Sequence, residues 1–161
     1  MKFRIVTLIS LLAFMGALLP NHANAQDPKQ QVIKFRTQVK PNSDERINLI
    51  MTPMPGNEGV TIEGCELVTL PDNTQAWKVT KSWITVTGPV THFDCNLSAI
   101  DSITFENPEI LQELIVETNK MGVLNLTGMK ALTYLGASAT DVREIDLTGC
   151  TNLKRIYCDG S

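Results

Sequence analysis

An apolar pattern that returns every 21 residues constrains this chain more than any other feature of it. Leu111, Leu132 and Leu153 share a column with Val90. Three residues on stand Phe93, Leu114, Leu135 and Ile156, and two further on Cys95, Val116, Ala137 and Cys158. Shorter columns follow: Ile100, Met121 and Val142; Ile103, Leu124 and Ile145; Phe105, Leu126 and Leu147; Pro108, Met129 and Cys150. Of these 24 positions 23 are apolar, where the chain's overall 43% would give about ten. Polar residues keep the register too, since Leu126-Thr127-Gly128-Met129 returns as Leu147-Thr148-Gly149-Cys150. One period earlier only Val79 and Ile84 fit, so the repeat begins near Val90.

Spacing turns the period into a fold. The second unit reads L-x-x-L-x-V-x-x-N-x-M, from Leu111 through Asn119 to Met121. L-x-x-L-x-V places alternate side chains of a short strand on one face. One coil cannot bury that face alone, but stacked coils align their strands into a parallel sheet and merge their cores. Adjacent parallel strands are therefore expected at Val90 to Cys95, Leu111 to Val116, Leu132 to Ala137 and Leu153 to Cys158. The column of Ser98, Asn119, Thr140 and Ser161 carries short polar side chains able to bond turn backbone. Met121 to Met129 should form the other wall in extended or 3₁₀ conformation, because Gly128, Gly149 and the β-branched residues disfavour a helix.

A period of about 20 to 29 residues with this consensus is the leucine-rich-repeat pattern. The chain resembles bacterial, internalin-like leucine-rich repeat proteins, particularly those whose strand ends in cysteine, as in Phe93-Asp94-Cys95 and Ile156-Tyr157-Cys158. The I-D-L-T-G-C turn from Ile145 to Cys150 strengthens the likeness. The resemblance implies a β-rich solenoid with a parallel concave sheet, preceded by a small all-β N-terminal cap. It speaks to architecture and little to ligand.

The first 25 residues read as an export signal. Lys2 and Arg4 make a basic start, Ile5 to Leu19 is an uncharged apolar run, and Ala23-Asn24-Ala25 is an A-x-A cleavage site before Gln26. The run is short of the ~20 residues a membrane span needs. Its removal takes two of the 14 basic residues and none of the 17 acids, leaving a net charge of −5. Nothing in that balance favours nucleic acid or an anionic membrane, and no later stretch would insert in a bilayer.

Residues 26–89 differ from the repeats. Val32 to Val39, Arg46 to Thr52, Val60 to Glu63, Glu66 to Leu70, Ala76 to Thr80 and Trp83 to Thr87 are short β-rich runs. Turn formers separate them, such as Pro41-Asn42-Ser43-Asp44 and Pro71-Asp72-Asn73. They predict a small antiparallel unit leading through Gly88-Pro89 into the first coil of a repeat domain at 90–161. Trp77 and Trp83 are expected to pack inside it. The sequence stops in the middle of the fourth unit, so the chain reads as a fragment of a longer repeat protein, or as one whose end a partner covers.

Chemistry-bearing residues are sparse. Cys95 and Cys158 share a column but lie three rungs apart, ~14 Å, beyond disulfide reach; both are expected to be buried thiols. Cys150 should point inward from the second wall, while Cys65 lies among the N-terminal strands. No pair of cysteines has metal-ligand spacing, and no cofactor motif occurs. His92 stands without any nucleophile element, and carboxylates on a flat sheet have no pocket to raise one pKa for glycosidase work. A catalytic role is not expected.

Alternation of faces then selects the candidate binding residues. Outward rows should hold His92, Glu113, Tyr134 and Arg155; Asp94, Ile115, Gly136 and Tyr157; and Asn96, Glu117, Ser138 and Asp159. Tyr134, Tyr157 and Ile115 beside Arg155 form the expected contact patch, because tyrosine and arginine bury area while keeping a polar handle. The expected function is an exported binding module for a protein ligand, with a glycan as the lesser case. The alternatives are a structural spacer of a larger surface protein, or the non-catalytic part of a larger secreted enzyme. Intact-mass measurement of the abundant extracellular or periplasmic protein should find its first residue at Gln26; a retained Met1 would defeat the export reading.

Overall fold

The computed structural model describes residues 30–57 and 59–160. The expected signal at residues 1–25 and the last member of the polar column, Ser161, lie outside the described residues. The described chain is all β, with no helix among those residues.

From Val90 onward the chain winds as about three turns of a β-solenoid. One wall holds β8 (Val90–Asp94), β10 (Glu113–Ile115), β12 (Tyr134–Gly136) and β14 (Arg155–Tyr157), all parallel. Their register steps by one period: His92, Glu113, Tyr134 and Arg155 form one row, and Phe93, Leu114, Leu135 and Ile156 the next. The second wall holds β9 (Ile100–Glu106), β11 (Val123–Asn125) and β13 (Glu144–Asp146), with Leu124 beside Ile145. That wall is extended strand and turn, as the Gly and β-branched content requires.

The strands of the later coils are shorter than the apolar pattern predicts, because the chain turns soon after them. Leu97, Thr118 and Ala139, one period apart, sit in the left-handed region at φ 52°, 54° and 56°. Each makes a corner whose amide still bonds the next coil, as Thr118 N–H does to Ser138 O at 2.9 Å. The turn on the other wall repeats too: Asn107, Gly128 and Gly149 all have positive φ. Asn and Gly tolerate that conformation best, which is what the repeated T-G spelling encodes.

Between the walls lies the core. Leu111, Leu114, Leu132 and Leu135 are fully buried, as are Met121, Leu124, Leu126 and Met129. Burying each such side chain is worth ~1.5–3 kcal/mol. The fourth unit is less covered: Leu153 and Cys150 are half-buried, Ile156 is 43% exposed, and Cys158 is exposed. The buried thiol expected at Cys158 is therefore corrected. Its column is sealed by a coil on each side, and no described coil lies beyond it.

Among the described residues the polar column closes one corner in each of the first three coils. Asn119, 2% exposed, is the hub. Its Oδ1 accepts the amides of Ser98 and Ile100 at 3.2 and 2.9 Å, and its Nδ2 donates to the carbonyls of Cys95, Val116 and Glu117. One side chain thus satisfies backbone groups of two coils. Thr140 is equally buried but bonds Ala137 O in its own coil.

The N-terminal strands join the solenoid directly. β1 (Val32–Thr37) pairs antiparallel with β9 and with β7 (Trp83–Thr87), and β4 (Thr61–Glu63) completes that sheet. β3 (Ile50–Pro53) adds antiparallel to β8, extending the first wall. β2 (Arg46–Ile47), β6 (Gln75–Val79) and β5 (Cys65–Thr69) form a third sheet. Phe35 meets Phe93 edge to face at 5.9 Å, and one continuous core runs through both regions. Arg36 pairs with Asp101 at 2.7 Å across β1 and β9, holding that carboxyl below its ordinary range. The run expected at Arg46 to Thr52 breaks at Asn48 and Leu49. There the Asn48 amide and side chain bond Ser98 and Asn96, and Leu49 O accepts the Trp77 indole N–H.

Trp83 departs from expectation. Trp77 is half-buried against the core, but Trp83 is 41% exposed. Its neighbour Ile84 takes the inward position of β7, so alternation turns Trp83 outward, where Lys34 and Arg36 lie over the ring at 5.1 and 5.6 Å.

Replacing Asn119 by Ala should cost about 3 kcal/mol, since several buried backbone groups lose their partner at once. Thr140→Ala, which removes the hydroxyl that bonds Ala137 O within one coil, should cost less. Urea unfolding midpoints measure both, and an Asn119 loss below that of Thr140 would contradict the hub.

Candidate binding face

The outward face of the parallel sheet is the one surface whose residues the repeat leaves free to vary. Phe93, Leu114 and Leu135 must point inward, so the residues on either side of them point outward. The expected rows fall into register. His92, Glu113, Tyr134 and Arg155 are successive partners, as are Asp94, Ile115, Gly136 and Tyr157.

Within those rows the side chains behave differently from coil to coil. His92 Nδ1 and Glu113 Oε2 lie 2.9 Å apart and satisfy each other. Asp94 is only 8% exposed; its Oδ1 accepts the Asn96 amide at 2.9 Å, and β3 runs alongside it with Ile50 as its partner. Asp94 is therefore a turn-forming residue of the first coil and not an open contact. The expectation that it lines the binding face is corrected on that geometry.

Tyr134 and Tyr157 stack with ring centroids 5.6 Å apart at 39°, and the Arg155 guanidinium lies 5.5 Å over the Tyr134 ring. Ile115 is half-buried and stands two rungs from Tyr157, about 10 Å, with Gly136 between them. The apolar patch is thus the tyrosine pair, with Ile115 across a gap.

That gap is the feature the sequence concealed. Gly136 offers no side chain, yet it is buried. A Cβ placed there would meet Glu117 Oε1 at 2.8 Å and Tyr134 Cε1 at 3.4 Å. The Glu117 carboxylate from the preceding coil therefore lies in the vacant position beside the tyrosine ring.

The open depression of about 540 Å³ lies on the other wall, among Lys120, Gly122, Val123, Asp141, Arg143 and Glu144. Among the described residues no group of three or more His, Cys, Asp or Glu side chains is placed to hold a metal. All four cysteines are free thiols. Burial pushes Cys65 up to about 12, and burial reinforced by the Asp94 charge raises Cys95 as well. Cys150, also raised by burial, lies with Sγ 3.1 Å from Leu126 O. These are poor nucleophiles near neutrality.

No protein-family model matches the chain, and no curated protein or solved structure matches it either.

Brief alkylation of the native protein near neutral pH should modify Cys158 and spare Cys65 and Cys95, which react only after unfolding. Peptide mass mapping reads the result. Labelling of Cys95 at the Cys158 rate would contradict the sealed column.

Proposed function

We propose that this chain is an exported, internalin-like leucine-rich repeat module that binds a protein ligand through the concave face of its parallel sheet. The 21-residue consensus and the stacked coils support the repeat class, and residues 1–25 support export. The strands before Val90 serve as the N-terminal cap that a solenoid needs over its first open core. The module is non-catalytic and takes no cofactor: no nucleophile element or cofactor motif accompanies His92 or the carboxylates of the sheet.

One observation carries the binding reading. Tyr134, Tyr157 and Arg155 cluster on the outward face while every inward position of their strands is apolar. The fold does not require two tyrosines there, and rigid aromatics with polar tips are the residues that dominate protein interfaces. A glycan is the less favoured ligand, since two tilted rings beside an arginine make no extended sugar platform.

The test is the double variant Tyr134→Ala/Tyr157→Ala. Its melting temperature should stay within about 3 °C of the parent, as expected for partly exposed residues away from the core. Its affinity for an immobilised matrix protein, drawn from a panel of fibronectin, laminin and collagen, should fall at least tenfold. Binding that survives the double change, or the lack of binding by the parent to every member of the panel, would overturn the reading.

A further inference from the structure

We infer that the partner presents an arginine side chain to this face, seated between the Glu117 carboxylate and the Tyr134–Tyr157 pair over Gly136. The inference deepens the binding reading above and rests on it.

Three observations converge on that chemistry. The first is the placement of the carboxylate. Gly136 carries no side chain, and Glu117 Oε1 from the neighbouring coil fills that position, 2.8 Å from where a Cβ would stand and beside the Tyr134 ring. The second is charge. His92 occupies Glu113 at the β3 side of the sheet, but among the described residues no cation lies within ion-pair distance of Glu117 or Asp159. A carboxylate with no cation beside it is free to accept from an incoming one. The third is the aromatic wall. Arg155 already lies over Tyr134, showing that a guanidinium fits a ring face in this surface. A planar guanidinium can stack on tyrosine and bond a carboxylate with two N–H groups at once, which an ammonium cannot.

The local balance points the same way. Around the gap stand Glu117, Asp159, Tyr134, Tyr157 and Ser138, with Arg155 on the rung beyond. An acidic ligand would meet two unneutralised carboxylates. A basic segment would meet complementary charge and an apolar wall.

The experiment uses the full chain, ¹⁵N-labelled, titrated with the peptide acetyl-Gly-Arg-Gly-Arg-Gly-amide and separately with its Glu-for-Arg counterpart. The arginine peptide should shift the amides of Gly136, Ser138 and Tyr157 saturably, and the acidic peptide should not. Glu117→Gln keeps the shape and removes the charge; it should weaken the arginine peptide about tenfold, the loss of one charge-assisted pair. Gly136→Ala, whose new methyl displaces only the flexible end of Glu117, should fold normally and weaken it similarly. Equal shifts from both peptides, no saturable shift, or full affinity in Glu117→Gln would overturn the inference. The panel binding of the previous test separates the two ideas. Matrix binding lost in the tyrosine double variant but kept in Glu117→Gln and Gly136→Ala would leave the face standing and remove the arginine. Binding kept in all of these variants removes the face itself.

Discussion

A coil of 21 residues has no interior of its own, and this structure depends on that fact. Leu114 becomes fully buried only because Phe93 lies on one side of it and Leu135 on the other. The backbone obeys the same rule. The strand and corner amides of each coil donate to carbonyls of the next, as Cys95 does to Ile115, Val116 to Gly136 and Ala137 to Tyr157. Apolar burial and hydrogen bonding are thus satisfied by nearest neighbours, which makes stability a sum of interfaces between coils. The gradient of exposure along one column, from Phe93 at 0% to Ile156 at 43%, is that dependence made visible.

At the other end the first coil meets strands running the opposite way. β3 continues one wall and β1 the other, both antiparallel, so the open edges of β8 and β9 are paired. Buried polar contacts fix the joint. Ser98 Oγ donates to Asn48 O at 2.7 Å, Thr37 Oγ1 donates to Ser98 O at 2.7 Å, and Gln31 Oε1 accepts the Val90 amide. Ser98 belongs to the column of Asn119, yet its hydroxyl is spent on the N-terminal strands. One column therefore does two jobs: Asn119 ties coil to coil, and Ser98 ties the first coil to what precedes it.

The same inward demand shapes the surface. Because the core fixes every second strand residue, the residues between them are left outside it, and they differ along the sheet. Near β3 the polar groups have local partners, His92 on Glu113 and Asp94 in its own turn. Farther along stand a tyrosine pair, an arginine over one ring, and carboxylates with no cation beside them.

Most of the architecture was legible in the sequence, because a buried column must be apolar in every coil and so writes its period into the chain. The parallel strands, the extended second wall, the polar column and the inward place of Cys95 all followed from spacing. What spacing could not supply were features set by contacts between residues far apart in the sequence. The left-handed corners at Leu97, Thr118 and Ala139 bear no residue signature, since hydrogen bonds to the neighbouring coil hold them there. Trp83 looked like core until the alternation of β7 gave the inward side to Ile84. Cys158 keeps the column's residue type but not its burial, for burial belongs to the stack and not to the residue. Asp94 and Glu117 are both acids at alternate positions, yet one is consumed by a turn and the other lies free over Gly136. That distinction depends on which strand lies next to each, and only the folded chain decides it.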